Sequence, residues 1–241
     1  QNNQDSKSLS RNNIQAIIKD ITGNIWLGTW GKGVNIFFDD SHLFQQYKNG
    51  VINGYIDRLI ETTDGKVWFN DADSGVNYMS NTSSGNYIKP IEGKKIYHLA
   101  ADNKNNLWIN TYQDAGPGEL FIYNVTSEKT TKVLGWEEKS LYNGDYPFQI
   151  FNNNIWFIDN EGKLTAYQIF KKEFHRYDTK DIESLKTFDI DIKNNSIWAT
   201  TTNNQLVSID LSRTSPNDIS ITTYNLDGIK YLSTIDISSI K

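Results

Sequence analysis

The residues able to do chemistry are few in kind. The chain has no cysteine, and its three histidines, His42, His98 and His175, stand far apart with no spacing that would gather them around a metal ion. Among the 29 carboxylates, two could meet across a cleft as acid and base. No nucleophile elbow, phosphate-binding loop or dinucleotide fingerprint accompanies them. What recurs instead is a set of aromatic, amide and acidic side chains in short Gly- and Asn-rich turns: Trp30, Asp71, Asp73, Tyr112, Gln113, Asp114, Asp159 and Asn160. Asn203 and Asn204 occupy a similar turn, and Tyr55, Tyr142 and Tyr146 lie in linking segments. Such groups offer hydroxyl partners and flat apolar ring faces, the chemistry of a site for a sugar or other small polar ligand. The expectation is a binding site without catalytic residues, metal or cofactor.

The elements that position these turns follow from a repeat. Trp26, Trp68, Trp108, Trp156 and Trp198 are separated by 42, 40, 48 and 42 residues. Twelve positions before the first three lie Ile14, Ile56 and Ile96, and nine before lie Ile17, Leu59 and Leu99. Three positions after each Trp stands a hydroxyl or carboxylate, Thr29, Asp71, Thr111, Asp159 and Thr201, able to bond the backbone of the turn that follows. A third strand then carries apolar pairs three apart: Val34 and Phe37, Val76 and Met79, Leu120 and Tyr123, Leu164 and Tyr167, Leu206 and Ile209. A fourth is marked by Phe44 and Tyr47, Phe174 and Tyr177, and Ile221 and Tyr224.

Four strands in about forty residues is the arithmetic of a β-propeller blade. The sequence therefore predicts an all-β chain, a single propeller segment of five four-stranded antiparallel blades, near residues 12–50, 54–90, 94–135, 145–178 and 185–226. Residues 229–241 resemble the first strand of a sixth blade, so a partial or open propeller is expected, its end faces pairing with further blades or with a second copy. The five in-register tryptophans are assigned to the core between blades. Trp30 and Trp136 fall outside the register, and Trp136 lies in an insertion between the third and fourth blades.

Composition narrows the function. A net charge of −5 opposes nucleic-acid binding, which needs clustered cations. The chain has no apolar run of the roughly 18 residues that span a bilayer, and residues 1–11 are too polar for a signal peptide. No membrane insertion by this segment is expected.

The first repeat, Ser8 to Ile14 followed by Asp20-Ile-Thr-Gly-Asn-Ile-Trp26-Leu-Gly-Thr-Trp-Gly-Lys-Gly33-Val34, resembles the two-component regulator propeller repeat, with its Asp-x-x-Gly turn, Trp-apolar-Gly-Thr strand and Gly-apolar strand. The likeness extends with falling fidelity to about residue 225. It departs at Asn70 and Asn110, where that family prefers Gly, and repeats four and five lack the Asp-x-x-Gly turn. The resemblance implies the periplasmic input region of a sensor histidine kinase or hybrid two-component receptor, recognising oligosaccharides, with the kinase outside this chain. Two other readings stay open: a propeller lyase, and a scaffold for protein interaction.

Overall fold

The computed structural model describes residues 8–39, 41, 43–47, 55–56, 58–71, 75–79, 85–87, 91, 94–111, 118–133, 148–177, 179, 182–212 and 219–225. These form twenty strands in five antiparallel sheets, each of four strands in chain order. Blade one holds β1 (Ile14–Lys19), β2 (Ile25–Thr29), β3 (Val34–Phe38) and β4 (Leu43–Tyr47), and blade two β5 (Leu59–Glu61), β6 (Val67–Asp71), β7 (Gly75–Met79) and β8 (Gly85–Tyr87). Blade three holds β9 (Ile96–Ala101), β10 (Asn106–Thr111), β11 (Leu120–Asn124) and β12 (Lys129–Lys132). Blade four comprises β13 (Gln149–Phe151), β14 (Asn154–Ile158), β15 (Leu164–Gln168) and β16 (Glu173–Arg176). Blade five comprises β17 (Leu185–Asp191), β18 (Ser196–Thr201), β19 (Gln205–Asp210) and β20 (Ser220–Asn225). The expected strand of a sixth blade at 229–241 lies outside the described residues. The chain divides into two compact units, residues 1–133 with blades one to three and residues 134–241 with blades four and five.

Blades stack because strand side chains alternate between faces, so a sheet can present apolar residues on both of them. In the first unit, Trp26, Val34 and Ile36 of blade one pack on Ile56, Leu59, Val67 and Phe69, at and beyond the entry to blade two. Trp68 and Val76 of blade two pack in turn on Ile96, Leu99, Leu107 and Ile109 of blade three. In the second unit Trp156 and Ala166 meet Leu185, Phe188, Ile197 and Ala199. The tryptophan of each of these blades thus faces the blade that follows.

Trp26, Trp68, Trp108 and Trp156 are buried, whereas Trp198 is half-buried and stacks on the exposed Tyr224 at 5.5 Å between ring centroids. Trp198 departs from the core position expected for it because, within its unit, no described sheet follows blade five. The mirror case is Ile17. Leu59 and Leu99, at the same register, are buried against the preceding blade, while Ile17 of blade one is 62% exposed.

The indoles are held from their own blades. Asp20, in the turn between β1 and β2, accepts a hydrogen bond from Trp26 Nε1 at 2.7 Å, and Asp102 does the same for Trp108 at 2.9 Å. In blade two the acceptor is the hydroxyl of Thr62, 2.8 Å from Trp68 Nε1. One carboxylate thereby closes the turn and satisfies a buried donor six residues on. Where blade four lacks such a residue, Trp156 Nε1 donates to the carbonyl of Phe151 at 3.2 Å, and Asn152 and Asn153 take positive φ in a two-residue turn.

Burial disfavours charge on Asp20, but bonds from the Trp26 indole, the Thr22 hydroxyl and the Asn24 amides outweigh it and hold the carboxyl below its ordinary range. A depressed folded-state value contributes stability above the unfolded pKa of about 3.9 and loses it as pH falls through the folded value. Asp20→Asn is therefore expected to be less stable than wild type at pH 7, with the gap closing as pH drops below about 4. Urea midpoints at neutral and acid pH check this; a gap constant across that range would contradict it.

Candidate functional site

The strand-end hydroxyls and acids tie down the turns that would carry a site. Thr29 Oγ1 donates to the Gly33 carbonyl at 2.8 Å, and Thr111 Oγ1 accepts from Glu119 N at 3.0 Å. Thr201 Oγ1 accepts from Gln205 N at 3.0 Å and donates to Asn203 Oδ1. Asp159 is the most fully engaged. Its side chain is entirely shielded from solvent, and Oδ1 accepts from the backbone amides of Glu161 at 2.9 Å and Lys163 at 3.0 Å. Oδ2 accepts from Thr165 Oγ1 at 3.0 Å and meets Arg176 Nε at 2.7 Å. This carboxylate is engaged within its own blade; the neighbouring Asn160 is exposed.

Trp30 behaves differently. It follows β2 and is 44% exposed, and its ring lies edge-to-face with Tyr55, itself 43% exposed, at 4.4 Å between centroids and 71° between planes. The two residues form an isolated antiparallel bridge, flanked by Ile56 N donating to the Thr29 carbonyl at 3.3 Å. From the other side Trp30 N donates to the Asn13 carbonyl at 3.0 Å, and Arg11 Nη1 donates to the Trp30 carbonyl at 2.8 Å. Exposed aromatic rings are thus held by backbone pairing on two sides.

Gly28 makes this possible. A Cβ at that position would stand 2.7 Å from the Ile56 carbonyl oxygen and 2.8 Å from its Cγ2, so only glycine lets the linking segment run against β2 and bring Tyr55 beside Trp30. Blades two and three have Asn70 and Asn110 at this register, and these side chains bond backbone instead, Asn70 accepting from Arg58 N at 3.1 Å and Asn110 donating to the Glu119 carbonyl at 3.2 Å. Gly28→Ala is expected to retain the fold but lose about 1–3 kcal/mol through overpacking. It should also expose Tyr55 further; urea unfolding and tyrosine-selective modification would register both effects.

The sequence-predicted residues fall into groups. Trp30 is joined to Tyr55 in the first unit, and Asp159 and Asn160 share a turn in the second. Asp71 ends β6 opposite Gly75. Asp73, Tyr112, Gln113, Asp114, Tyr142, Tyr146 and Trp136 lie outside the described residues, as does His42. His98 is buried on β9 opposite Asn110, and His175 on β16 lies 3.7 Å from Glu173 Oε2. Among the described residues no group of three or more His, Asp or Glu side chains is placed to hold a metal ion. Arg11 is the member of the Trp30 corner that sequence reasoning missed. It stands between the first apolar repeat position and a polar start, with no periodicity to mark it.

Five antiparallel four-stranded sheets, with the tryptophans of blades one, two and four turned toward the blade that follows, define a β-propeller. Residues 8–31, which contain Arg11, Asp20, Trp26, Gly28 and Trp30, match the two component regulator propeller model, and the first blade carries that repeat. Among solved structures, an extracellular domain assigned to a hybrid two-component system of B. thetaiotaomicron is similar at TM-score 0.68 and 17% identity, over 93% of this chain and 30% of that one. An extracellular domain assigned to a one-component system of the same organism is similar at 0.60 and 20%, over 89% of this chain and 29% of that one. Virginiamycin B lyase from Staphylococcus aureus gives 0.56 and 12%, over 88% of this chain and 73% of that one. At these identities the structural likeness shows the fold alone, and this chain spans less than a third of the first two proteins. No curated protein matches the sequence.

Proposed function

We propose that this chain is part of the extracytoplasmic, periplasmic input region of a two-component receptor, binding an oligosaccharide or other small polar ligand without transforming it. The observation that carries the reading is the two component regulator propeller repeat at residues 8–31, beside four further four-stranded antiparallel sheets among the described residues. Two of the similar structures are extracellular domains, one assigned to a hybrid two-component system and one to a one-component system, which supports an extracytoplasmic placement. The neighbouring blades of the receptor, or a second copy, would be its protein partners, and the signal would pass to a kinase outside this chain.

Calorimetric titration of the chain against a library of glycan fragments tests the reading. At least one fragment is expected to bind with a simple isotherm and to be recovered chemically unchanged. Uniform silence would overturn it, and a fragment recovered cleaved would convert the assignment to an enzyme.

A further inference from the structure

We propose that Trp30, Tyr55 and Arg11 form a recognition corner for a sugar ring bearing a carboxylate, so that the ligand class is a uronic acid oligosaccharide. The inference rests on the reading of the chain as a ligand-binding input region and gives that region a place and a chemistry.

Three observations converge on this corner. The first is the cost of leaving two large rings in water. Trp30 and Tyr55 are among the few large apolar side chains of the described residues that are more than two-fifths exposed, and they touch each other. Their ring faces suit the apolar C–H face of a pyranose, and the edge-to-face contact fixes the angle between them.

The second is preorganisation. The bridge between Trp30 and Tyr55, the bond from Trp30 N to Asn13 and the close approach permitted at Gly28 hold both backbones before any ligand arrives. Little ordering entropy then remains to oppose binding. The equivalent positions Asn70 and Asn110 carry side chains, so this device belongs to blade one among the described blades.

The third is charge. Arg11 donates from Nη1 to the Trp30 carbonyl at 2.8 Å, which holds the guanidinium at the backbone of the exposed ring's own residue, and a Cβ built on Gly31 would stand 3.4 Å from the same Nη1. Lys32, two residues beyond Trp30, is exposed. Among the described residues neither cation is ion-paired, in a chain whose net charge is −5. A planar guanidinium with donors to spare, bonded to the backbone of a residue whose ring is exposed, matches a carboxylate on a sugar stacked there, which it can grip with two parallel N–H bonds.

The test uses oligosaccharides of galacturonate, glucuronate and mannuronate, each as the free acid and as its methyl ester, titrated by calorimetry and by quenching of tryptophan fluorescence. One free acid series is expected to bind at least tenfold more tightly than its ester. Trp30→Ala and Tyr55→Ala should each weaken that binding tenfold or more while melting within a few degrees of wild type, and Trp30→Phe, which keeps a ring, should recover most of it. Arg11→Gln should bring acid and ester to within about twofold of each other, with Arg11→Lys between.

Equal affinity for acid and ester would overturn the carboxylate assignment. Tight binding untouched by Trp30→Ala or Tyr55→Ala would place the ligand elsewhere and overturn the corner, while leaving the input-region reading intact. Silence toward every uronate, with a neutral fragment bound, would likewise sink only this inference; silence toward uronates and the whole fragment library would remove both.

Discussion

Replacing Trp68 with alanine is expected to cost about 3–5 kcal/mol of folding free energy. The indole is 1% exposed and sits between two tyrosines, Tyr78 at 4.7 Å and Tyr123 at 5.7 Å, with Leu99, Leu107 and Ile109 completing the cluster. An indole removes roughly 150 to 250 Å² from water, worth about 4 to 6 kcal/mol gross at roughly 25 cal/mol per Å². The substitution leaves a void between two sheets whose backbones are pinned by their own ladders and cannot collapse into it. The Thr62 hydroxyl also loses the Nε1 donor, although it keeps Asp64 Oδ1 at 2.6 Å. Trp198→Ala makes the internal control, because that ring is half-buried and should cost about 1–2 kcal/mol. Urea unfolding of both variants decides the matter: equal losses would mean that cover by the next blade does not govern these residues.

Asp159→Ala is expected to cost about 3 kcal/mol. The substitution strands two backbone amides, the Thr165 hydroxyl and the Arg176 guanidinium at once, around a carboxylate that is itself fully shielded. The loss stays near that figure because Arg176 is about a third exposed and keeps Glu161 at 2.9 Å. Asp159→Asn retains an acceptor for the turn amides and should recover about half of the loss. Chemical denaturation measures the cost, and titration with whichever fragment binds measures the role. A variant as stable as wild type yet blind to ligand would return Asp159 to the binding surface.

These cases mark where sequence reading succeeds. Strand order and the hairpin turns were legible because they depend on residues close in the chain: a Trp, a hydroxyl or acid three positions later, and a Gly or Asn able to take positive φ. The role of Asp20, Thr62 and Asp102 as partners of an indole six residues on is equally local, yet it was not read from the sequence, because a turn alone accounts for the same residues.

The site was less legible. Asp159 and Trp30 both stand at the ends of second strands among polar turn residues, and nothing nearby distinguishes them. Arg176 reaches Asp159 from β16, through the pairing of Thr165 with Arg176, whereas Trp30 meets Tyr55 across 25 residues because Gly28 lets the linking segment approach. The first contact takes an acid out of solvent and the second leaves two rings in it.

The sequence by itself determined that this chain makes four-stranded blades, five of them among the described residues, and which strand of each carries the tryptophan, since period and alternation are properties of short stretches of backbone. Tertiary structure alone decided that Trp198 and Ile17 lie partly open while their register mates are covered, that Asp159 is locked and that Trp30 has Tyr55 and Arg11 for neighbours. Those outcomes depend on which sheet or link packs against a position. Such packing comes from residues tens of positions away, whose approach is permitted or blocked by single atoms such as the missing Cβ of Gly28.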